Sequence, residues 1–577
     1  MAEKKRRTNE NMKQTGNGRT SGTRRPREGA NNTQRHPSSG GRGRRPSGGG
    51  SAGPRSRQNS GQAPRQNRRP YLADENPAKS VGGPYRGRRR PEEPDHRMSK
   101  TIGFILTGAQ AIVTLVFMVS VFMLGVLPSK YLMVLGVVLF LALLIVAGSQ
   151  FLSKKRGIAG KVYSIFMSVI MIIGSYYMFK TGGMLEKISG GNMMVDKMVV
   201  AVSADDPAES IQDAASYTFG VQYALKGEQV RETLDAVNAE LGSSVSVTEY
   251  QSVQEQATAL QAGEIQAMVY NEAYNSVLDE TIENFSSSVK VIYTYSIESE
   301  VDNQAAEVEV DNECFTVYIS GIDVYGPIET NSRSDVNILM VVNPTTHQIL
   351  QITTPRDTYV PIPGISGGER DKLTHAGIYG VDRSMATLSE LYETDIQFYA
   401  RVNFTSLVTM VNALGGVDVN SEQSFSTNNG LYVQQGMNHF NGEQALEFAR
   451  ERYHVDGGDF QRGKNQQAVI TAMIQKAVSP AILMGANGIM NSVAGNVDTN
   501  MSQEQIQMLI KAQLNEGAAW NIKSMALEVS GDQQYAYSMP GTMLYVAWPD
   551  EASVAVIKAA IDSLERGEIL DNTETVQ

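Results

Sequence analysis

The sequence of 577 residues contains one cysteine, Cys314, and two tryptophans. A single cysteine excludes an intramolecular disulfide, so burial, hydrogen bonds and ion pairs must stabilise the folded parts. Cys314 lies between an acidic stretch and an apolar one, which favours a small buried side chain over a reactive nucleophile. Histidines are also few, and His375, His439 and His454 lack the spacing of metal ligands. A zinc site is therefore not expected.

Aliphatic residues are nearly absent from residues 1–98, so a disordered tail is predicted there. Residues 1–100 hold 25 Lys and Arg against 8 Asp and Glu, which leaves 26 basic and 53 acidic residues for the remainder. A basic head on an acidic body indicates two compartments or two partners. An Arg/Gly-rich tail is one way to bind RNA, but its position before an apolar run favours a role in membrane topology and in binding anionic lipid. No nucleic acid is expected as a partner.

Charged residues are then absent from three long runs, Ile102–Leu127, Tyr131–Leu152 and Val162–Phe179. Each is close to or above the roughly 20 residues that cross a bilayer, so three transmembrane helices are predicted within 99–181. Basic residues precede the first run and fill the loop at 153–161, whereas the turn before the second run has only Lys130. Because positive loops stay inside, the N-terminus is expected to be cytoplasmic and the chain after about residue 181 extracellular.

Residues 182–310 have the pattern of a small α/β accessory domain without a catalytic constellation. Strands are predicted at Lys197–Ser203, Ser246–Gln251 and Ile265–Tyr270, and helices at Val230–Leu241 and Val253–Leu260. By pattern alone, this alternation resembles half of a type-II periplasmic solute-binding fold. The interpretation is a spacer or a ligand-binding module.

Charged residues then appear at the ends of short apolar strands. The strands are predicted at Phe315–Ser320, Val336–Val342 and Gln348–Thr353. If they pair as an antiparallel meander, Asp323, Asp335 and Arg356 converge at one rim of the sheet. Two neighbouring carboxylates suit Mg²⁺, which takes one or two protein carboxylates plus phosphate oxygens. The alternative is that Arg333–Asp335 is a solvated loop.

A second charged group begins at the end of a predicted short helix, Asn441–Arg450. Residues i and i+2 of a helix point in directions about 200° apart around the helix axis. Arg450 and Arg452 can therefore point the same way only if the helix ends at Arg450 and the chain extends.

A longer helix is predicted from about Phe460 to Val478, with Asp459 as its N-cap. Arg462 and Gln466 share one face of this helix. Guanidinium groups and a helix N-terminus both bind phosphate oxygens, so these residues and the preceding arginines predict a pyrophosphate site. Surface arginines that pair with the acidic body are the alternative.

The ordered motifs GID, RSD, PRD, KLTHAGIYG, NALGGVDV and NGEQALEFARERYHVDGGDFQRGKNQQ resemble the LytR-CpsA-Psr (LCP) family. The resemblance covers roughly 313–480, with a tail to about 565. It implies an extracellular LCP-like α/β catalytic domain with a mixed central sheet at 311–480. Its C-terminal part would occupy 481–567, before a disordered end at 568–577. Family members hold a polyprenyl tail in a hydrophobic pocket of this domain.

Members of that family transfer teichoic acid, capsule or other wall polysaccharide from an undecaprenyl pyrophosphate carrier to peptidoglycan, using Mg²⁺. The resemblance therefore implies a phosphotransferase at the outer face of the membrane in a Gram-positive type of envelope. It implies Asp323 and Asp335 as metal ligands. The catalytic residues it implies are Arg356, Arg450, Arg452 and Asp459. The pyrophosphate-binding residues it implies are Arg356, Lys372, Arg450, Arg452, Arg462 and Gln466.

Two positions depart from the family's pattern. GIDVYG keeps Asp323 but lacks the Arg that follows it in the family, and Asn465 stands where a second Arg is usual. A weaker phosphate clamp is expected, or compensation by Lys464. The general base is not identified, and Asp459 and Asp357 are candidates.

Three other functions stay open at this point. A pyrophosphatase would hydrolyse the lipid carrier with water as the acceptor. A non-enzymatic surface regulator or binding module would act through residues 193–300. A transcriptional attenuator would act through the basic head, although no helix-turn-helix is visible in the sequence.

Overall fold

The structure is a computed structural model. It describes residues 96–152, 157–188, 193–300, 307–322, 328–479 and 496–570. All of these belong to one unit of the chain, Arg90–Gln577. Nearly all of the predicted tail at 1–98, the basic residues 154–156, Asp323 and nearly all of the predicted end at 568–577 lie outside the described residues.

Three long apolar helices come first, α1 (His96–Met123), α2 (Ser129–Leu152) and α3 (Ile158–Ile188). Their apolar stretches, Met98–Met123, Ser129–Leu152 and Ile158–Gly183, have mean hydropathies of 2.2, 2.8 and 1.7. Each is long and apolar enough to cross a membrane. The three predicted apolar helices are therefore confirmed.

Residues 193–300 form a five-stranded mixed sheet with helices against it. Its strands are β1 (Met193–Ser203), β2 (Thr218–Val221), β3 (Ser246–Glu249), β4 (Ala267–Asn271) and β5 (Val289–Glu300). Its helices are α4 (Gly227–Leu241), α5 (Val253–Gln261), α6 (Asn275–Leu278) and α7 (Phe285–Ser288). The strand order is β3-β2-β4-β1-β5. Strand β1 is buried on both faces, with Val199 in one core and Val200 in another, which explains its continuous apolar sequence.

The following part contains a six-stranded mixed sheet. Its strands are β6 (Phe315–Ile322), β7 (Ser334–Asn343), β8 (Gln348–Thr353), β11 (Phe398–Asn403), β16 (Asp498–Thr499) and β17 (Asn521–Ala526), in the order β16-β11-β6-β7-β8-β17. The predicted antiparallel meander is present as β6-β7-β8. Strands β11 and β17 pair in parallel with β6 and β8. The predicted α/β fold with a mixed central sheet is confirmed.

Helices cover both faces of this sheet. They are α8 (Leu373–Tyr379), α9 (Val381–Tyr392), α10 (Phe404–Ala413), α11 (Gly442–Arg450), α12 (Gly458–Ala477), α13 (Gln503–Glu516) and α14 (Glu551–Glu565). Shorter strands are β9 (Tyr359–Pro361), β10 (Arg370–Lys372), β12 (Val417–Ser421), β13 (Phe425–Ser426), β14 (Tyr432–Val433) and β15 (Gly436–Phe440), and a hairpin is formed by β18 (Val529–Ala536) and β19 (Met539–Pro549). On one face, Leu339 of β7 shares a core with Leu388 of α9 and Ile557 of α14. Helices α10, α11 and α12 cover the other face.

The five-stranded sheet shares a core with the later part of the chain. Leu260 of α5 and Met268 of β4 belong to the same apolar cluster as Met539 and Leu544 of the β18–β19 hairpin. Across the same boundary, the Tyr274 hydroxyl donates to the Tyr379 hydroxyl at 3.2 Å. Residues 193–300 are thus packed directly against the part that follows them.

The turn between α1 and α2 also contacts this later part. Lys130 Nζ donates to the carbonyl oxygen of Asn515 at 2.6 Å. Gly125, with φ +69°, lies so close to Gln507 that a Cβ would be 2.7 Å from its Oε1. Both partners belong to α13. The turn and the folded part therefore lie at the same end of the helix bundle.

Gly377 of α8 lies against the start of β7. A Cβ at this position would lie 2.8 Å from the carbonyl oxygen of Ser332 and 2.8 Å from the amide nitrogen of Ser334. Because both atoms are backbone, Gly377→Ala is expected to lower the free energy of unfolding by about 1–3 kcal/mol. Thermal unfolding checks this. The control is Gly183→Ala in α3, where a Cβ meets nothing within 4 Å; equal losses in both variants would contradict the prediction.

Candidate active site

A cavity of about 680 Å³ lies between the six-stranded sheet and helices α10–α12. Most of its wall is apolar, with side chains from both layers such as Ile319, Met340, Leu407, Leu446 and Ile470. The charged residues that line it are Glu280, Arg333, Asp335, Arg356, Arg450, Arg452 and Arg462. The cavity therefore combines an apolar interior with a concentration of positive charge.

The start of β7 and the end of β8 bring Asp335 and Arg356 together, as predicted. Arg356 Nη1 donates to Asp335 Oδ2 at 3.0 Å, and Thr374 Oγ1 donates to Asp335 Oδ1 at 3.1 Å. Burial favours a raised pKa for Asp335, but Arg333 and Arg356 hold that pKa below its ordinary value. Arg333 is only 7% exposed, so the solvated-loop alternative for Arg333–Asp335 is wrong.

The end of α11 brings Arg450 and Arg452 to the same cavity. Asn441 and Gln444 form a capping box at the start of α11, and the helix ends at Arg450 because Glu451 is extended. The Arg450 guanidinium lies over the Phe404 ring at 4.2 Å, and that of Arg452 over the Tyr453 ring at 4.7 Å. Neither arginine has a carboxylate partner among the described residues. For these two arginines, pairing with the acidic surface is not observed.

Helix α12 contributes Arg462 and Gln466, which both line the cavity as predicted. The predicted N-cap at Asp459 is wrong. The N-cap is Gly457, whose φ of +92° is a conformation that glycine adopts readily, and no side chain caps the helix. Asp459 lies in the first turn, where its Oδ1 is 2.7 Å from Arg462 Nη2.

Of the two departures from the family's pattern, the one after Asp323 lies outside the described residues, and Asn465 is not among the residues that line the cavity. Asn465 is buried, and its Nδ2 donates to the carbonyl oxygen of Phe448 at 3.2 Å. Lys464 Nζ is 3.1 Å from Glu422 Oε2. The structure therefore places Asn465 in the contact between α11 and α12, and Lys464 on the surface.

Lys372 also lies behind the cavity wall. Its Nζ is 2.9 Å from Glu280 Oε2 and 3.1 Å from Asp357 Oδ1. The second Asp357 oxygen lies 3.7 Å from Arg356 Nε, and the second Glu280 oxygen pairs with Arg333. With the Arg356–Asp335 pair, these contacts form what we call the charge network, Arg333–Glu280–Lys372–Asp357–Arg356–Asp335.

Glu280 is a site residue that the sequence did not reveal. It follows α6 and so comes from the segment predicted to be an accessory domain, yet it lines the cavity. Burial favours a raised pKa for Glu280, but Lys372 and Arg333 lower the pKa to about 2. No local pattern marks it, because its role arises only from the packing of residues 193–300 against β7 and β10.

His375, His439 and His454 each lie beside a carboxylate of the protein. His375 is fully buried, with its Nδ1 2.6 Å from Asp371 Oδ1. His439 and His454 pair with Asp418 and Glu451. Among the described residues, no group of three or more His, Cys, Asp or Glu is arranged to hold a metal ion.

Cys314 is partly buried and packs against the main core of the six-stranded sheet. Burial, with Glu565 nearby, raises the pKa of its thiol to about 12. A thiol with so high a pKa is not a reactive nucleophile at neutral pH.

The chain thus combines an apolar cavity that five arginines line with three apolar helices. Residues 269–550 match the LytR_cpsA_psr family model. The chain is 33% identical over 232 residues to the polyisoprenyl-teichoic acid–peptidoglycan teichoic acid transferase TagU of Bacillus anthracis. The aligned residues cover 37% of this chain and 75% of that protein. It is 37% identical over 207 residues to TagU of Oceanobacillus iheyensis, covering 35% of this chain and 63% of that protein. The chain belongs to the LytR-CpsA-Psr family.

Two solved structures are also similar to the chain. The crystal structure of B. subtilis TagU is 26% identical, covers 45% of this chain and all of that chain, and gives a TM-score of 0.36. TagT bound to LI-WTA is 24% identical, covers 46% of this chain and 95% of that chain, and also gives 0.36. At these TM-scores the structural likeness adds nothing to the family assignment.

The low pKa of Glu280 predicts an acid-dependent loss of stability. A carboxylate with a depressed pKa stabilises the fold above its unfolded pKa of about 4.3, and this contribution is lost as the pH falls toward the folded pKa of about 2. At neutral pH, Glu280→Gln is expected to cost about 3 kcal/mol. The melting temperatures of Glu280→Gln and of the wild type are measured between pH 7 and pH 2. The difference between them should become smaller below about pH 4.5.

The matched control for this prediction is Glu283→Gln, three residues away in the same segment and exposed. It should change the melting temperature little at any pH. If the melting temperatures of Glu280→Gln and wild type differed by the same amount down to pH 2, a stabilising role of the Glu280 ion pairs would be contradicted.

Proposed function

We propose that this chain is a phosphotransferase that moves a glycopolymer from an undecaprenyl pyrophosphate carrier to peptidoglycan. Its relatives are named as teichoic acid transferases that act from a polyisoprenyl carrier on peptidoglycan, which supports glycopolymer transfer in general. The observation that carries the proposal is the cavity, whose lining is apolar over most of its area and includes five arginines. A polyprenyl pyrophosphate has the matching combination of an apolar tail and a dense anion.

The arginines are suited to the pyrophosphate because two of them are not neutralised by the protein. Arg450 and Arg452 line the cavity without a carboxylate partner in the described part of the chain. Arg452 Nη2 donates to the Tyr453 hydroxyl, and we expect the other donors of the two guanidinium groups to bind phosphate oxygens. Arg356 and Arg462 also line it, each beside an aspartate that holds its guanidinium in place. We expect these four side chains and Gln466 to hold the diphosphate.

Mg²⁺ is the proposed cofactor, with Asp335 and Asp323 as its protein ligands. Asp335 lines the cavity together with the arginines, and its side chain is 18% exposed. A hard cation that takes one or two carboxylates and completes its shell with phosphate oxygens and water fits this donor set. When bound, it would neutralise charge on the diphosphate.

The reaction we propose is an in-line displacement at phosphorus. A hydroxyl oxygen of the wall glycan forms a bond to the sugar-bearing phosphorus while the bond from that phosphorus to the polyprenyl phosphate oxygen breaks. Arg450 and Arg452 would stabilise the charge that grows on the phosphate oxygens during this exchange. The hydroxyl proton passes to a base, for which we favour Asp459 over Asp357, because one oxygen of Asp459 pairs with Arg462 whereas both oxygens of Asp357 pair with cations.

We also propose that the catalytic part lies at the outer face of the cell membrane. Basic residues before α1 and between α2 and α3 would remain in the cytoplasm. The turn at Lys130, at the opposite end of the bundle, contacts α13 of the folded part. This arrangement would place the cavity at the surface where lipid carriers and the wall meet.

The transferase proposal is tested with the full-length protein in lipid nanodiscs, a polyprenyl pyrophosphate-linked oligosaccharide, Mg²⁺ and uncrosslinked peptidoglycan. Glycan attached to the wall polymer and released polyprenyl phosphate are expected together. Arg450→Ala and Arg452→Ala are each expected to lower kcat by about 10²- to 10³-fold, the effect of removing one donor to a developing anion. Chelation and Asp335→Asn should abolish both products.

Lys464→Ala serves as the matched control, because Lys464 is also basic but contacts Glu422 outside the cavity. It should leave the rate within about twofold, the usual range for a surface substitution. Free glycan as the only product would indicate a pyrophosphatase instead. Full activity of the Arg450→Ala/Arg452→Ala double variant would exclude the proposed site.

The apolar part of the cavity predicts selection for the lipid tail. Ala400 of β11 lines it, so Ala400→Phe should occupy space that the tail needs. Binding of a long polyprenyl pyrophosphate is expected to weaken about tenfold or more, whereas inorganic pyrophosphate should bind unchanged. Titration calorimetry measures both. The control is Ala555→Phe on the exposed side of α14, and an equal loss there would contradict the assignment.

A further inference from the structure

Glu280 provides a contact between residues 193–300 and the candidate active site that no sequence motif explains. Among the described residues of that segment, it alone lines the cavity. Its two oxygens accept from different cations, Oε1 from Arg333 and Oε2 from Lys372. One carboxylate therefore joins the start of β7 to the end of β10.

The two cations depend on this carboxylate because they are buried. The side chains of Arg333 and Lys372 are 8% and 4% exposed, and an unpaired charge at such positions is costly. Glu280 is the only carboxylate at ion-pair distance from Arg333 in the described part of the chain, while Asp335 lies near enough for Arg333 to lower its pKa. Lys372 has only Asp357 in addition, at 3.1 Å.

The same contacts extend to the residues proposed to hold the diphosphate. Lys372 holds one oxygen of Asp357, and the other lies 3.7 Å from Arg356 Nε. Arg333 precedes Asp335 by two residues, and Arg356 pairs with Asp335 at 3.0 Å. Within the charge network, Glu280 is thus connected to the Arg356 guanidinium through Lys372 and Asp357.

Glu280 is itself held in a fixed position. It follows α6, whose Val277 and Leu278 are fully buried in the core that residues 193–300 share with α8 and the β18–β19 hairpin. Asp196 of β1 adds a second connection, because it accepts from Asn331 just before β7 at 3.1 Å. The carboxylate therefore reaches the cavity from a segment that is packed into a core.

We propose that Glu280 is a positioning residue of the pyrophosphate site, and that residues 193–300 complete this site. Glu280 holds Arg333 and Lys372 against the wall, where they orient Asp357 and Arg356, and leaves Arg450 and Arg452 to the ligand. This inference rests on the proposed function. It concerns how the site is held together, so it can be tested by binding as well as by transfer.

The test uses farnesyl pyrophosphate, titrated calorimetrically into the full-length protein in nanodiscs. Glu280→Gln removes the charge and keeps the shape, and is expected to raise the Kd about tenfold or more with an unchanged stoichiometry. Glu280→Asp keeps the charge on a shorter side chain and should restore part of the affinity. Glu283→Gln, on the exposed surface of the same segment, should bind as the wild type does.

Stoichiometry separates positioning from folding. If Glu280→Gln binds fewer equivalents at the wild-type Kd, the residue only stabilises the fold and the proposal is overturned. A Kd within twofold of wild type at full stoichiometry overturns it too, as does absence of binding to the wild-type protein. Should Glu280→Gln fail to fold, the Kd of Glu280→Asp decides by the same criterion.

Transfer assays on the same variants separate this inference from the proposed function. If wild-type protein binds farnesyl pyrophosphate in a Glu280-dependent way but transfers no glycan, the transferase proposal fails and the positioning role stands. If wild type transfers glycan and Glu280→Gln does so with unchanged kcat and KM, the transferase proposal stands and the positioning role fails.

Discussion

The neutralisation of buried charge is the constraint on which the site depends. Lys372 and Arg333 are almost inaccessible to water, so each must lie beside a carboxylate. Glu280 and Asp357 meet this requirement, and they come from distant parts of the sequence. The charge network therefore fixes the relative positions of β7, β8, β10 and α6, and the cavity arginines take their places around it.

The elements with local signals could be predicted from the sequence. The short connections between the strands predicted the β6-β7-β8 meander, and this meander places Asp335 next to Arg356. The capping residue Asn441 marked the start of α11. At the start of α12, Gly457 is the N-cap because glycine readily adopts the left-handed conformation found there. The Asp459 side chain, which the sequence suggested as the cap, does not cap the helix.

Features that depend on tertiary packing could not be predicted. Glu280 has no neighbouring residue that distinguishes it from the other acidic residues of its segment, and only the shared core with α8 and β18–β19 brings it to the cavity. Lys372 was expected to face the ligand, but Glu280 and Asp357 hold it behind the wall. The cavity also has no sequence signature, because an apolar strand such as β7 looks the same whether its face is packed or left open.

The contacts of α13 with the turn between α1 and α2 restrict how far the catalytic part can travel. A domain joined to an anchor at a single point can reach a wide volume, and a second contact at Asn515 and Gln507 reduces that volume. The cavity would then stay at one height above the bilayer. Under the proposed transfer function, the acceptor would have to move to the carrier, so glycan strands close to the membrane would be favoured over distant layers of the wall.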